Sequence, residues 1–300
     1  MPDINNILCP IDFSDASRHA LDHAIAMARW YNARIVGLHV FNPVGFPPGV
    51  LMAPAYVDEA VTAGATIGQM QEEVVACLEP ARAAGVKTTG RVETGAPPGA
   101  ILDCAASIPA DLIVMGTHGV SGFEHLVLGS VTEKVLRKAA CPVLTVPPRA
   151  LTTSKLPLRR LLCPVDFSEP SVAALEFALS IAQESDAELT ILHVLEWPPD
   201  DEPLLNRPFN VPEYGRHRER DAAERLGRLI PESVRTWCSP APRITHGKPY
   251  RGILGVAAED RADLIVMGVH GRNAFDLMLF GSTTNQVVRR ATCPVLTLRR

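Results

Sequence analysis

The chain contains the stretch ILCPIDFS at residues 7–14 and repeats it as LLCPVDFS at residues 161–168. A second stretch, DLIVMG, stands at residues 111–116 and returns at residues 263–268. Each stretch includes a short apolar run, which is typical of a strand buried on both faces of a sheet. Two copies of one strand pattern in a chain of 300 residues indicate two homologous domains of ordinary size.

Domain boundaries follow from where the repeat begins and ends. We expect the first domain at residues 1–147, a linker at residues 148–156 and the second domain at residues 157–300. Prolines and small polar residues interrupt the periodic pattern in the linker, as is usual between domains.

Within each half, apolar runs alternate with segments of helical periodicity. Ser14 offers an N-cap to a first helix, in which small and branched apolar residues recur between residues 20 and 28. A later helix is predicted at residues 97–107, between the third and fourth strands. Alternating strands and helices predict a doubly wound α/β fold in each half, with a five-stranded parallel sheet flanked by helices on both faces. The third strand of the second half is the least regular, because Pro240 and Pro242 interrupt it.

Composition excludes several classes of protein. The chain is 47% hydrophobic and carries a net charge of −4 without a cluster of basic residues, which argues against a nucleic-acid-binding surface. It shows neither a secretory signal nor an apolar run long enough to span a bilayer, so we expect a cytoplasmic protein without membrane contact. The cysteine count is odd, at seven. We interpret the four that precede prolines as small core residues of a reducing compartment: Cys9, Cys141, Cys163 and Cys293.

Two segments in each half should lie where such sheets bind ligands, beyond the carboxyl ends of the strands. One holds the aspartate after the first strand, Asp12 or Asp166. The other is a glycine-spaced loop after the fourth strand. In the first half it reads GTHG at residues 116–119 and resumes as Gly-Ser at residues 129–130. Glycines let backbone N–H groups approach a polyphosphate, and a helix that begins at Gly-Ser favours an anion.

The second half repeats this loop as GVHG at residues 268–271 and Gly-Ser at residues 281–282. This spacing, G-x2-G-x9-G-[ST], resembles the ATP-binding signature of the universal stress protein family. The Asp-Phe-Ser segments resemble that family's opening strand, and the Leu-His-Val segments at residues 38–40 and 192–194 resemble its second strand. The resemblance covers both halves except the linker and the irregular middle segments. It implies a fold of the adenine-nucleotide alpha-hydrolase type.

The resemblance implies ATP, or ADP or AMP, as the ligand of each domain, with Mg²⁺ accompanying the nucleotide. It implies that Asp12 and Asp166 contact the ribose and adenine side and that Val40 and Val194 line the adenine pocket. The residues that it implies for the phosphates are Gly116, Gly119, Gly129, Ser130 and Val131 in the first half, and Gly268, Gly271, Gly281, Ser282 and Thr283 in the second. His118 and His270 lie inside the loops, where a turn-forming role and a phosphate-side role both stay open.

Simpler interpretations compete with these roles. The glycines are also expected in plain turns, and an aspartate after a strand is also typical of helix capping, which Ser14 and Ser168 could supply instead. The halves differ after the second glycine, where Val120 stands in the first and Arg272 in the second, so equal affinity at the two sites is not implied.

His19 and His23 have a metal-binding spacing on the first helix, but Ala173 and Phe177 replace them in the second half. The chain contains no Walker A loop, nucleophile elbow or kinase signature. The resemblance implies a nucleotide-binding regulatory protein of the stress response. Its hydrolysis of ATP, if any, should be slow. A slow ATPase and an interaction module without ligand are the alternatives.

The last strand of each half, at residues 142–146 and 294–298, is predicted to be an edge strand. Pairing of these two strands within one chain would protect both edges. A homodimer is a further extrapolation from the family.

Overall fold

The computed structural model describes residues 3–42, 59–119, 128–150, 157–196, 211–232, 234, 240–269 and 280–299. For residues 59–66 and 211–214 it describes the backbone alone. The described residues form two compact units, one within residues 3–154 and the other within residues 155–300. They are called the first and second domain below.

Each domain contains five strands in one order along the chain. The elements of the first domain are β1 (Asn6–Pro10), α1 (Asp15–Tyr31), β2 (Arg34–Phe41), α2 (Glu59–Cys77), α3 (Glu79–Ala83), β3 (Thr88–Thr94), α4 (Pro97–Ser107), β4 (Leu112–Gly116), α5 (Ser130–Lys138) and β5 (Val143–Val146). Those of the second domain are β6 (Arg160–Pro164), α6 (Glu169–Ser185), β7 (Glu188–Leu195), α7 (Val211–Leu229), β8 (Ala241–His246), α8 (Pro249–Glu259), β9 (Leu264–Gly268), α9 (Ser282–Arg290) and β10 (Val295–Leu298).

The strand order of the first domain is β3-β2-β1-β4-β5, and that of the second is β8-β7-β6-β9-β10. All neighbouring strands within a domain run parallel, and helices flank the sheet. The doubly wound α/β prediction is therefore confirmed, and the helix predicted at residues 97–107 is α4.

Burial explains why the apolar runs became central strands. Ile7, Leu8 and Cys9 in β1 have no exposed surface, because sheet neighbours and helices cover both faces of the strand. On α1 the buried residues include His23 and Met27. Of the apolar residues that recur at helical spacing between residues 20 and 28, Ile25 is half-buried and the others are buried: Ala20, Leu21, Ala24 and Ala28.

Two expectations about particular residues met different outcomes. The third strand of the second domain forms as β8 and includes Pro242. Within the part of the chain that the structure describes, β8 is an outer strand with β7 as its one neighbour, so Pro242 needs no second ladder bond. The expectation that all four proline-preceding cysteines lie in the core is wrong for Cys141, which is half-buried, whereas Cys9, Cys163 and Cys293 are buried. All described cysteines are free thiols.

Candidate functional site

The candidate site lies at the point where the strand order reverses. In the first domain β1 stands between β2 and β4. In such a sheet, a crevice lies between the loops that follow the carboxyl ends of these two strands, β1 and β4. Asp12 follows β1, and Gly116 is the last residue of β4. The second domain has the same arrangement, with Asp166 after β6 and Gly268 at the end of β9.

The turn after β1 orients the aspartate through the next serine. Ser14 donates from its backbone N–H (3.1 Å) and from its hydroxyl (2.5 Å) to Oδ1 of Asp12. The same hydroxyl accepts from the N–H of Ser17 and caps α1. The serine is therefore the N-cap, and the aspartate is left as a carboxylate beside the crevice.

The second domain repeats this turn. Ser168 donates from its N–H (3.0 Å) and its hydroxyl (2.5 Å) to Oδ1 of Asp166. Its hydroxyl accepts from the N–H of Ser171 and caps α6. Both domains thus present an aspartate held by the N-cap serine two residues later.

The glycine loop of the first domain meets this aspartate. A Cβ atom placed on Gly119 would lie 2.6 Å from Oδ2 of Asp12, which is closer than two such atoms can approach. A Cβ on Gly116 would lie 3.0 Å from the backbone oxygen of Ala16 in α1. The backbone after β4 therefore packs directly on the turn after β1, and a side chain at residue 119 would displace the carboxylate of Asp12.

The start of α5 is tied to the end of β4 by two hydrogen bonds. The N–H of Gly129 donates to the carbonyl of Thr117 (2.9 Å), and the hydroxyl of Thr132 donates to the carbonyl of Gly116 (2.9 Å). No side chain of the described residues caps this helix. Helix starts of this kind favour an anion, because their first N–H groups have no partner within the helix and the helix dipole is positive there.

The second domain has the same links. The N–H of Gly281 donates to the carbonyl of Val269 (3.1 Å), and the hydroxyl of Thr284 donates to the carbonyl of Gly268 (3.0 Å). Among the described residues, no side chain caps α9 either. Thr132 and Thr284 escaped the sequence reasoning, although their matching place three residues after the last loop glycine was visible in both halves.

The remaining predicted residues lie around this crevice or outside the described chain. Val40 and Val194 are half-buried near the ends of β2 and β7, and the first turns of α5 and α9 hold Ser130, Val131, Ser282 and Thr283. His118 shares a 2.8 Å hydrogen bond between its Nδ1 and the hydroxyl of Thr117. The residues that lie outside the described chain are Val120, His270, Gly271 and Arg272. The ligand roles of all these residues stay predictions.

Two further pairs of residues line the turn after the first strand and were missed as site residues. Phe13 and Phe167 directly follow the aspartates and have φ angles of 63° and 65°, a region that bulky residues rarely adopt. Their rings contact those of His39 and His193. The two halves carry the same phenylalanine and the same histidine at matching positions. This repetition could have identified them from the sequence.

His19 and His23 are stacked edge to face on α1, with ring centres 5.0 Å apart. Nε2 of His19 donates to the carbonyl of Ala150 (3.0 Å). His23 is 1% exposed, and among the described residues neither of its ring nitrogens has a hydrogen-bond partner. Burial, and secondarily the neighbouring His19, lower the pKa of His23 from 6.5 to about 4. The described part of the chain contains no group of three or more potential metal-ligating side chains.

Helices of the described residues are all too short or too polar to cross a bilayer.

Comparison with known proteins identifies the same family in both halves of the chain. The sequence model of the universal stress protein family matches residues 3–147 and again residues 157–299. A universal stress protein of Mycolicibacterium smegmatis is 30% identical over 304 aligned positions, which cover 98% of this chain and 96% of that protein. The crystal structure of a universal stress protein from Archaeoglobus fulgidus has a TM-score of 0.68 and 25% identity, and the match covers 100% of this chain and 97% of that one.

Proposed function

The chain belongs to the universal stress protein family, and we propose that each of its two domains binds an adenine nucleotide, ATP or its di- and monophosphates. The observation that carries the proposal is the contact between the glycine loop and the aspartate. Bare backbone at Gly119 lies against the carboxylate of Asp12, and the nearby helix α5 has a glycine, Gly129, as its N-cap. An acceptor for hydroxyls and a set of donors for an anion thereby lie at the two sides of one crevice.

The residues fit the chemistry of a nucleotide. The N–H groups at the start of α5 and α9, with the hydroxyls of Ser130 and Ser282, supply donors for phosphate oxygens. Asp12 and Asp166 supply acceptors for ribose hydroxyls. Val40 and Val194 offer apolar surface for the base. A Mg²⁺ ion that arrives with the nucleotide would be held chiefly by the phosphates.

Occupancy is proposed to bias the conformation or the assembly of a cytoplasmic regulatory protein. Nucleotide that binds the folded form alone would stabilise it by about 2.7 kcal/mol at a hundredfold excess over Kd. We also propose that the last strands of the two domains pair within the chain and that the chain forms a homodimer. Hydrogen exchange of the amides in these strands tests the pairing, and sedimentation with and without ATP tests the dimer.

Mass spectrometry of the gently purified protein, followed by titration with ATP, tests nucleotide binding. We expect two sites per chain in the wild type and none in the Gly129→Val, Gly281→Val double variant. Phosphate release that the double variant abolishes would favour the slow ATPase instead. Unchanged binding in the double variant would show that these loops are not the site.

A matched pair of single variants sharpens the test. Gly119→Ala places a methyl group on the carboxylate of Asp12, whereas Gly99→Ala in α4 places one in open space. We expect the stoichiometry to fall from two to one in the first variant only. Two full sites in Gly119→Ala would refute the proposed geometry of the first site.

A further inference from the structure

The aspartate of each site is followed by a phenylalanine in an unfavourable backbone conformation. Phe13 and Phe167 have φ angles of 63° and 65°, and a bulky side chain costs free energy in this left-handed region. Such a conformation persists only where the surroundings hold it. The same conformation in both domains identifies a turn that is fixed by its contacts.

A histidine of the second strand supplies those contacts in the first domain. The ladder between β1 and β2 ends at Pro10, opposite Leu38. The N–H of the next residue, Ile11, donates to the carbonyl of Leu38 (2.7 Å). The carbonyl of Ile11 lies 2.8 Å from Nδ1 of His39. Because a carbonyl only accepts, Nδ1 of His39 carries the proton and donates it.

The imidazole of His39 also holds the residue on the other side of the aspartate. Its ring centre lies 4.5 Å from that of Phe13, with the ring planes tilted by 34°. One side chain therefore contacts both neighbours of Asp12, the carbonyl of Ile11 before it and the ring of Phe13 after it. We call this arrangement, His39 on Ile11 and Phe13, the histidine clamp.

The second domain contains the same clamp. Nδ1 of His193 donates to the carbonyl of Val165 (2.7 Å), and the N–H of Val165 donates to the carbonyl of Leu192 (2.8 Å). The rings of His193 and Phe167 lie 4.6 Å apart and are tilted by 44°. An apolar side chain could fill this space but could not bond the carbonyl that precedes the aspartate.

We propose that His39 and His193 are positioning residues that hold the carboxylates of Asp12 and Asp166 in the orientation that receives the ribose hydroxyls. The inference rests on the proposed nucleotide site. With the clamp in place, the backbone on both sides of Asp12 is fixed, Oδ1 is held by Ser14, and Oδ2 lies toward Gly119. Without it, the turn keeps the hydrogen bonds of Ser14 to Asp12 and of Arg18 to the carbonyl of Phe13. It loses the contacts of His39 on both sides of Asp12, and the carboxylate becomes less firmly oriented.

Discrimination between ATP and 2′,3′-dideoxy-ATP measures this orientation directly, because the two ligands differ only in the ribose hydroxyls. The assay is calorimetric titration of the full chain carrying Gly281→Val, so that the first site alone is read. We expect this background to favour ATP by roughly tenfold, the equivalent of one hydrogen bond to a charged group. His39→Leu should reduce the preference to about twofold, mainly by weakening ATP.

Three further variants separate positioning from folding. His39→Asn retains an N–H donor for the carbonyl of Ile11 and should restore most of the preference for ATP. His39→Phe keeps a ring beside Phe13 without the donor, so it should lose the preference, and it serves if His39→Leu does not fold. His193→Leu makes the same change in the silenced domain and should leave the preference at its value in the background.

The possible outcomes separate the positioning role of His39 from the nucleotide binding on which it rests. An undiminished preference for ATP in both His39→Leu and His39→Phe overturns the positioning role. Equal weakening of both ligands overturns it as well, because the histidine would then serve folding alone. Equal binding of both ligands by the background chain shows that Asp12 does not meet the ribose, although nucleotide binding stands. Failure of the wild type to bind either ligand overturns the proposed function itself.

Discussion

Protonation of the buried ring of His23 is expected to destabilise the first domain in mild acid. The folded state lowers the pKa of this histidine from 6.5 to about 4, because the ring is buried and His19 stands beside it; neither ring nitrogen finds a partner within the part of the chain that the structure describes. Between these two pH values the unfolded chain binds a proton that the folded chain does not. The stability that His23 contributes is therefore complete above pH 6.5 and is lost as the pH falls toward 4.

The magnitude follows from the same two values. Each pKa unit corresponds to about 1.4 kcal/mol, so complete protonation removes about 3 kcal/mol from the free energy of unfolding of the first domain. Between pH 7 and pH 5 the linkage relation gives a loss of about 2 kcal/mol. His23→Phe should abolish this loss. Phe177 occupies the counterpart of His23 in α6, where it is half-buried.

Hydrogen exchange of the full chain provides the assay, because it separates the two domains. Amides of α1 should lose protection between pH 7 and pH 5, after correction for intrinsic rates, whereas those of α6 serve as the internal reference. His19→Ala, which copies Ala173, retains the buried ring and should retain the loss. An α1 that loses the same protection in His23→Phe as in the wild type would refute the reasoning, since another group would then be responsible.

Three other predictions concern contacts within the domains. Thr132→Val leaves the buried carbonyl of Gly116 without its donor and should cost about 1–3 kcal/mol in urea unfolding; a loss below the error of the measurement would mean that water replaces the hydroxyl. Ser14→Ala removes the cap of α1 and should cost about 1 kcal/mol by the same measurement, and an unchanged midpoint would contradict the assigned cap. Burial raises the pKa of the Cys9 thiol to about 12, and it also raises that of Cys163. Iodoacetamide should therefore leave both thiols unmodified in the folded protein at pH 8, and it should modify both when guanidinium unfolds the protein.

The sequence predicted the elements whose pattern is local. Apolar runs gave the central strands, and α4 has the predicted ends, because Pro97 at its start sets a backbone angle that suits a helix. The outer strand β8 was harder to recognise, because Pro242 is tolerated only where one side of the strand needs no partner. That condition depends on strand order, which no local pattern shows.

Contacts between distant loops account for what the sequence could not predict at the site. The glycine spacing indicated a phosphate loop, but the approach of Gly119 to Asp12 depends on how the turns after β1 and β4 pack. The role of His39 was hidden for the same reason. In the strand pattern His39 is one polar residue between two apolar ones. Its ring reaches the carbonyl of Ile11 because the ladder between β1 and β2 ends at Pro10, one residue earlier.

Differences between the domains show which features of the turn depend on more than one element. In the first domain, Arg18 of α1 donates to the carbonyl of Phe13 (2.8 Å). Val172 stands at its counterpart in α6, so α6 supplies no such donor. In the second domain, the guanidinium of Arg225 on α7 lies 3.9 Å from the centre of the Phe167 ring. Both phenylalanines therefore have an arginine beside them, although different helices supply it.

Because different helices supply the arginine, the two sites are expected to differ in their preference for charged ligands. Counted back from the last residues of the two helices, Cys77 and Leu229, the counterpart of Arg225 on α2 is Glu73. The clamp, the N-cap serine and the uncapped helix start are the same in both domains, so both are expected to orient a ribose and a phosphate alike. The two residues therefore have opposite charges, with arginine on α7 and glutamate on α2. A cation over the aromatic ring attracts an anion at short range. We therefore expect the more highly charged nucleotide to favour the second domain, and Arg225→Glu with Glu73→Arg to reverse the order of affinities in a two-site titration.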